Sequence, residues 1–282
     1  MIKIDGQIID IGSFPDGTIL MKYTPQPHQK NSRAKFSWYY ENDREFVALM
    51  YLVNHFRAHG VNELYLYMPY IPNARQDRVK NPEDVFTLKH FAYFLNSLNF
   101  DRVEVLDPHS TVSEALINNI YIYSPAPYIN QVLEKIGVKT WTNVDPLSLD
   151  PNPKVKYSLT MFYPDSGSVK RYSGMVNLPY AFGIKKRNWE TGVIEGLDVA
   201  GAVDQIAGRD ILIVDDICSK GGTFYHSAKK LKELGARNIY LYVSHCENTI
   251  LEGDLLKSDL VKKIYTTDSI FTKNHEKIEV LK

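Results

Sequence analysis

The chain has 282 residues, 44% of them hydrophobic and 23% charged, which excludes a disordered tail and leaves room for two domains of about 100–200 residues each. Its 33 Lys and Arg balance 33 Asp and Glu, so no overall field selects nucleic acid or an anionic membrane, and any phosphate site has to be built locally. Two cysteines, Cys218 and Cys246, exclude a disulfide scaffold and a cysteine zinc module. With no signal-peptide core at Met1 to Gly6 and no apolar run near ~18 residues, they point to a cytoplasmic protein.

In chain order, Ile2 to Ile4 and Gln7 to Ile11 flank Asp5-Gly6, a two-residue hairpin signal, and Pro15-Asp16-Gly17 marks a second tight turn. An aromatic strand is expected near Trp38, Tyr39 and Tyr40. Phe46, Leu49, Met50 and Val53 recur at helical spacing and Gly60 offers a left-handed cap, predicting a helix over Glu45 to Ala58. Strand Glu63 to Met68 follows, closed by Pro69, and the loop Tyr70 to Asp84 carries Asn73, Arg75, Gln76, Asp77 and Arg78. A helix with Leu88, Phe91, Ala92, Leu95 and Leu98 on one face leads to strand Val103 to Leu106 and to Asp107-Pro108-His109. A helix near Tyr128 to Ile136 ends at Gly137. Pro146, Pro151 and Pro153 then break the stretch Trp141 to Lys156, expected to cross from an N-terminal domain, 1–140, to a C-terminal one, 141–282.

The second half repeats the rhythm. Leu159 to Tyr163 runs into Pro164-Asp165-Ser166-Gly167, Ala181 to Ile184 into Lys185-Lys186-Arg187, and Ile211 to Val214 into Asp215-Asp216. A helix with Phe224, Ala228 and Leu231 stops at Gly235 before strand Ile239 to Val243. This alternation predicts an α/β fold of two similar domains, each a mainly parallel sheet flanked by helices, with ligands beyond the carboxyl ends of the strands.

The densest chemistry lies in ILIVDDICSKGGTF, Ile211 to Phe224. An apolar strand delivers two carboxylates, and a loop with Ser219, Gly221, Gly222 and Thr223 opens a helix. Paired glycines let backbone amides approach an anion, the helix amino end adds its dipole, and the hydroxyls complete a phosphate cradle. The carboxylates suit vicinal ribose hydroxyls. Either half alone reads equally well as an ordinary strand-to-helix turn; joined in one run they point to a ligand.

This run resembles the phosphoribosyl-diphosphate motif of the type I phosphoribosyltransferase fold, which is shared by transferases, regulators and one group of kinases. PYIPNARQDR, Pro69 to Arg78, followed by a helix and VLDPH, Val105 to His109, is similar to the ATP side of the ribose-phosphate pyrophosphokinases. Phe14-Pro15-Asp16-Gly17 resembles that family's adenine-contacting Phe-x-Asp-Gly turn. The motifs stand in family order over most of the chain.

The resemblance implies ATP binding by Phe14, Asp16, Arg75, Gln76, Asp77 and His109, and magnesium binding by Asp107, His109 and Asp165. It implies a ribose phosphate held by Asp215, Asp216, Ser219, Lys220, Gly221, Gly222 and Thr223. Lys185, Lys186 and Arg187 resemble the family's Lys-x-Arg at the base of a mobile catalytic loop, here Asn188 to Gly208. Lys185 and Arg187 fit the spacing, and a slip of one residue promotes Lys186. Read without the resemblance, Arg75 to Asp77 is a solvated loop, the basic trio a solvated run, His109 a strand-end cap, and Phe14 with Asp16 a hairpin turn.

The implied reaction is magnesium-dependent transfer of the diphosphoryl group of ATP to the anomeric hydroxyl of a ribose 5-phosphate-type acceptor, with release of AMP. Fixed cations suit the charge that spreads over the phosphate oxygens. The implied partners are small-molecule substrates and further copies of the chain, at least a dimer, because the family's Phe-x-Asp-Gly turn enters a neighbouring subunit's site. No nucleic acid or membrane is implied. Ser219-Lys220 departs from the family's Asp-Thr, Thr18 replaces an acidic residue, and the family's first strand-helix unit and terminal helix are expected to be missing. The more cationic cradle suits ADP-ribose as an alternative acceptor, giving a 1-diphosphate for NAD salvage. A non-catalytic regulatory paralogue is a further alternative, opposed by the basic trio beside the Arg-Gln-Asp loop. A base-using phosphoribosyltransferase is opposed by the ATP-like half.

Overall fold

The chain divides into two units, Met1–Ser124 and Pro125–Lys282, built around separate apolar cores. The structure, a computed structural model, describes residues 1–26, 33–138, 158–187 and 194–282, and at 185–187 and 194–195 the backbone alone. The proline-broken stretch 141–156 lies outside the described residues.

In the first unit, β1 (Ile2–Ile4) and β2 (Gln7–Ile8) form the expected hairpin. Asp5 and Gly6 turn it with φ of 48° and 86°, the pair of positive angles that a tight hairpin requires. A second hairpin joins β3 (Gly12–Ser13) to β4 (Ile19–Leu20). Then follow β5 (Arg33–Trp38), α1 (Arg44–Ala58), β6 (Glu63–Tyr67), α2 (Thr87–Ser97), β7 (Arg102–Leu106), α3 (Thr111–Leu116) and β8 (Ile120–Tyr123). The sheet order is β2-β1-β5-β6-β7-β8, with β5 to β8 parallel.

All three helices feed one core. Ala34, Phe36, Trp38, Leu64, Leu66, Val103 and Val105 bury against α1 and α2, with Val112 and Leu116 of α3 packed on the same cluster. The alternating residues Lys35, Ser37, Tyr65, Tyr67, Arg102, Glu104, Tyr121 and Tyr123 stay partly or largely exposed. Parallel sheets are usually covered on both faces. Here Tyr39, Tyr67, Tyr123 and Tyr121 touch edge to face in a row. Lys3, Lys35 and Arg102 lie over the rings of Tyr39, Tyr67 and Tyr121 at 5.0, 5.6 and 4.2 Å.

The second unit contains α4 (Ala126–Lys135), β9 (Leu159–Tyr163), α5 (Ser166–Tyr172), β10 (Tyr180–Arg187), β11 (Ile194–Gly201), β12 (Asp210–Cys218), α6 (Gly222–Glu233), β13 (Ile239–Cys246), α7 (Asp254–Lys257), β14 (Lys263–Thr267) and β15 (Ile278–Leu281). The sheet order is β11-β10-β9-β12-β13-β14-β15, parallel except for β11. Ile129, Val132 and Leu133 of α4 and Tyr172 of α5 pack in one cluster, while Phe224, Ala228 and Leu231 of α6 pack in another with Ile211, Ile213 and Leu241. Every residue of β9 and β13 is buried, as befits strands covered on both faces.

The division falls before α4, whereas the sequence reading puts it at 140/141, and expectations about two strands differ as well. Strand β12 does not stop at Val214. It runs through Asp215 and Asp216, and its pairing with β13 continues to Cys218 opposite Cys246. The stretch expected as a mobile loop, Asn188 to Gly208, contains β11, paired from Gly201 opposite Ala181 to Ile194 opposite Arg187, and a 3-10 turn at Val203–Gln205. Leu197 and Val199 pack on the core beneath this hairpin, which is why the segment takes a strand's course. Residues 188–193 lie outside the described residues.

Candidate functional site

In the second unit, β9 continues to β10 on one side of itself, while β12 lies on the other. The crevice at such a switch point is where open α/β sheets bind ligands. Asp165 follows β9, and Asp215 and Asp216 lie near the carboxyl end of β12. Asp165 caps α5: its Oδ1 accepts from the amides of Gly167 and Ser168 at 3.0 and 3.1 Å. Its expected part in holding magnesium therefore competes with a structural task, the tying of orphan amides at a helix start.

Helix α5 in turn contacts both carboxylates of β12. Ser168 Oγ donates to Asp215 Oδ1 at 2.8 Å, and the same oxygen accepts from the Asp216 amide at 3.0 Å. Arg171 Nη1 stands 3.2 Å from Asp216 Oδ2, whose side chain is 6% exposed. Burial first, and the neighbouring Asp216 charge second, push the Asp215 carboxyl well above the usual carboxylate range. Ser168 and Arg171 went unrecognised in the sequence. Their signal was the cap itself, because a helix started by Asp165 sets residues three apart on a common face.

Beyond Cys218 the chain turns through Ser219 and Lys220 to Gly221, which caps α6 at φ +80°. Gly222 and Thr223 form the first turn of α6, so amides point outward from a helix amino end as phosphate binding requires. A side-chain carbon added at Gly253 would fall 1.8 Å from the Lys220 carbonyl oxygen, so the loop is backed by bare backbone. Lys220 Nζ pairs with Glu252 at 3.1 Å, both well exposed. That pairing offsets the cationic character the sequence assigns to Lys220. Below the loop, Cys218 is buried beside Cys246, and that contact, followed by burial, pushes its thiol well up.

Of the basic trio the backbone is described: Lys185 and Lys186 lie opposite Leu197 and Gly196, and a bulge falls between Lys186 and Arg187. They stand within the β10–β11 hairpin rather than past a strand end.

In the first unit the loop after β6 is fastened to α2: Thr87 Oγ1 donates to Gln76 Oε1 at 2.8 Å, and the Leu88 amide to the Gln76 carbonyl at 3.3 Å. Asp77 is buried and takes the Arg78 fork at 2.7 and 2.8 Å. The Arg78 hydrogen bond is the main cause holding its carboxyl below the usual range. Asp77 thus shapes the loop, and exposed Arg75 and Gln76 are the residues it presents. Asp107, buried, follows β7 at φ +41° directly before Pro108. A left-handed residue before proline is strained, a condition that gathers at ligand sites. At the second hairpin, Phe14 is 49% exposed. Asp16 Oδ1 accepts from the Thr18 amide and hydroxyl at 3.0 and 2.7 Å, which lowers its pKa and gives the Thr18 departure a role in the turn.

Among the described residues no three His, Cys, Asp or Glu are grouped to hold a metal ion. Magnesium does not require such a cage, since it takes one or two carboxylates and completes its shell with water and phosphate oxygens. Asp107 offers one such carboxylate at the end of β7, and His109 follows it two residues on.

No family model matches the chain. The ribose-phosphate pyrophosphokinase of Pasteurella multocida is 27% identical over 269 residues, 92% of this chain and 78% of that protein. The protein of the same name from Thermococcus kodakarensis is 27% identical over 271 residues, 94% and 86% of the two chains. This chain is a divergent relative of the ribose-phosphate pyrophosphokinases. The crystal structure of phosphoribosylpyrophosphate synthetase from Mycobacterium smegmatis aligns with a TM-score of 0.74 at 15% identity, over 97% of this chain and 85% of that one. The pyrophosphokinase relationship thus spans both units, and the fold is the α/β phosphoribosyltransferase type that the motifs implied. No helix among the described residues is long and apolar enough to cross a membrane.

Proposed function

We propose that the chain is an ATP- and magnesium-dependent diphosphokinase acting on ribose 5-phosphate. The acceptor's anomeric oxygen bonds to the β-phosphorus of ATP as the bond to the α,β-bridging oxygen breaks. The hydroxyl proton is lost, and AMP and a sugar 1-diphosphate leave. One observation carries this reading: the Asp215-Asp216 pair stands beside the Gly221-capped start of α6 in a chain related to pyrophosphokinases over 92% of its length.

Asp215 and Asp216 take ribose hydroxyls, and Ser219 to Thr223 take the 5-phosphate. Arg75, Gln76 and Phe14 take the nucleotide, with Asp77 and Asp16 shaping the loops that present them. Asp107 and His109 hold magnesium, which supplies charge neutralisation on the phosphates. Lys185, Lys186 and Arg187 stabilise the charge that develops in transfer. The exposed ion pair between Lys220 and Glu252 weighs against ADP-ribose as acceptor only weakly, so that sugar is kept as the alternative. The exposed Phe14 turn fits a homo-oligomer in which it meets another subunit.

Incubation with ATP, magnesium and either ribose 5-phosphate or ADP-ribose, with AMP release followed, tests the reading. Turnover is expected with the first sugar, and turnover with ADP-ribose alone would reverse the acceptor assignment. Binding of both substrates without turnover would favour a regulatory paralogue. Lys185→Ala with Lys186→Ala should abolish turnover and spare ligand binding; unchanged turnover would refute their role.

A further inference from the structure

Two adjacent carboxylates make a poor diol clamp unless their charges and directions are fixed, because they repel each other and rotate independently. Helix α5 fixes both. Arg171 reaches Asp216 Oδ2 at 3.2 Å while its guanidinium lies 5.0 Å from the centre of the buried Tyr172 ring. Ser168, itself 4% exposed, donates to Asp215 Oδ1. The Asp216 amide donates to that same atom, so two donors fix the direction of the Asp215 carboxyl.

We infer that Ser168 and Arg171 are positioning residues that give Asp215 and Asp216 separate hydroxyls of the sugar and so set selectivity for ribose over 2-deoxyribose. This assignment rests on the ribose-phosphate reading of the site. Polar groups set to receive two hydroxyls discriminate strongly against a sugar that lacks one of them. That discrimination depends on both acceptors staying in place, and neither Ser168 nor Arg171 needs to touch the sugar to keep them there.

Isothermal titration of ribose 5-phosphate and 2-deoxyribose 5-phosphate into the wild-type protein, S168A, R171Q and R171K tests the inference. Loss of a charge-assisted contact is expected to weaken ribose 5-phosphate binding about ten-fold or more in S168A and R171Q. The preference over the deoxy sugar should shrink, R171K should recover part of the loss, and ATP binding should be unchanged. In turnover, KM for the sugar should rise more than kcat falls. Full-strength ribose 5-phosphate binding and undiminished selectivity in S168A and R171Q would overturn the assignment. S168A removes one buried hydroxyl and keeps the question open to refutation if R171Q does not fold. Failure of the wild-type protein to bind ribose 5-phosphate would instead overturn the functional reading, and the assignment with it.

Discussion

At Asp215 the sheet and its helix hold a carboxyl where ionisation is unfavourable. Its folded-state pKa lies above the unfolded value of about 3.9, through burial first and Asp216 second. The protonated form therefore favours folding, and that stability is lost as pH rises from the ordinary carboxylate range through the folded-state pKa. Asp215→Asn should therefore raise Tm at neutral pH, by about 2–4 °C for each kcal/mol recovered in a unit of this size. The gain should vanish in acid, and sugar binding should be lost. Melting curves across pH, run beside titrations with ribose 5-phosphate, check both halves. Gly221 carries the opposite constraint. At φ +80° its added side chain would meet Leu255 at 3.1 Å, so Gly221→Ala should cost about 1–2 kcal/mol in a urea melt. The buried thiol of Cys218, with its raised pKa, should resist a thiol reagent until the chain unfolds.

At the scale of elements, α5 joins the carboxylate that follows β9 to the pair carried by β12. Asp165 starts the helix, and Ser168 and Arg171 extend from it to β12. Removing the cap with Asp165→Ala should destabilise the unit by about 1 kcal/mol, whereas Asp165→Asn keeps a capping oxygen and should melt close to wild type. If Asp165 also serves magnesium, Asp165→Asn alone should lower turnover and raise the magnesium requirement at unchanged Tm. A variant that retains both would leave capping as its task.

This level also marks where sequence becomes illegible. Asp5-Gly6 declares its hairpin because few residues tolerate the turn's positive φ, and the fourteen-residue run from Ile211 to Phe224 declares a strand and a helix start. The full length of β12 is hidden, because Asp215 and Asp216 interrupt its apolar run and only pairing with β13 shows that the strand continues. The contacts of Arg171 with Asp216 and of Lys220 with Glu252 join residues distant in sequence. The helix start marks the face that Arg171 shares with Asp165 but not its partner on β12, and no local pattern marks the pair of Lys220 with Glu252. Helix α3 and strand β8 are too short for periodicity to mark.

Across the whole molecule, separate apolar cores in the two units predict that heating gives more than one calorimetric component. A ligand stabilises the fold it binds by about 2.7 kcal/mol at 100 times its Kd. Ribose 5-phosphate should therefore move the component belonging to Pro125–Lys282, and ATP with magnesium the one belonging to Met1–Ser124. A shift of the same component by both would count against the division of the two substrates.

All three helices described in the first unit pack on one face of its sheet, and the tyrosines on the other face bear on how the protein behaves in concentrated solution. With 33 positive and 33 negative side chains, copies of the chain gain no long-range repulsion from net charge. Keeping the tyrosine row of that sheet wetted then falls to the cations resting on its rings, Lys3, Lys35 and Arg102. They act as gatekeepers on an otherwise adhesive aromatic surface. Replacing Lys3 and Lys35 with Gln should leave the fold intact but lower the concentration at which light scattering rises, and added salt should do little to restore it.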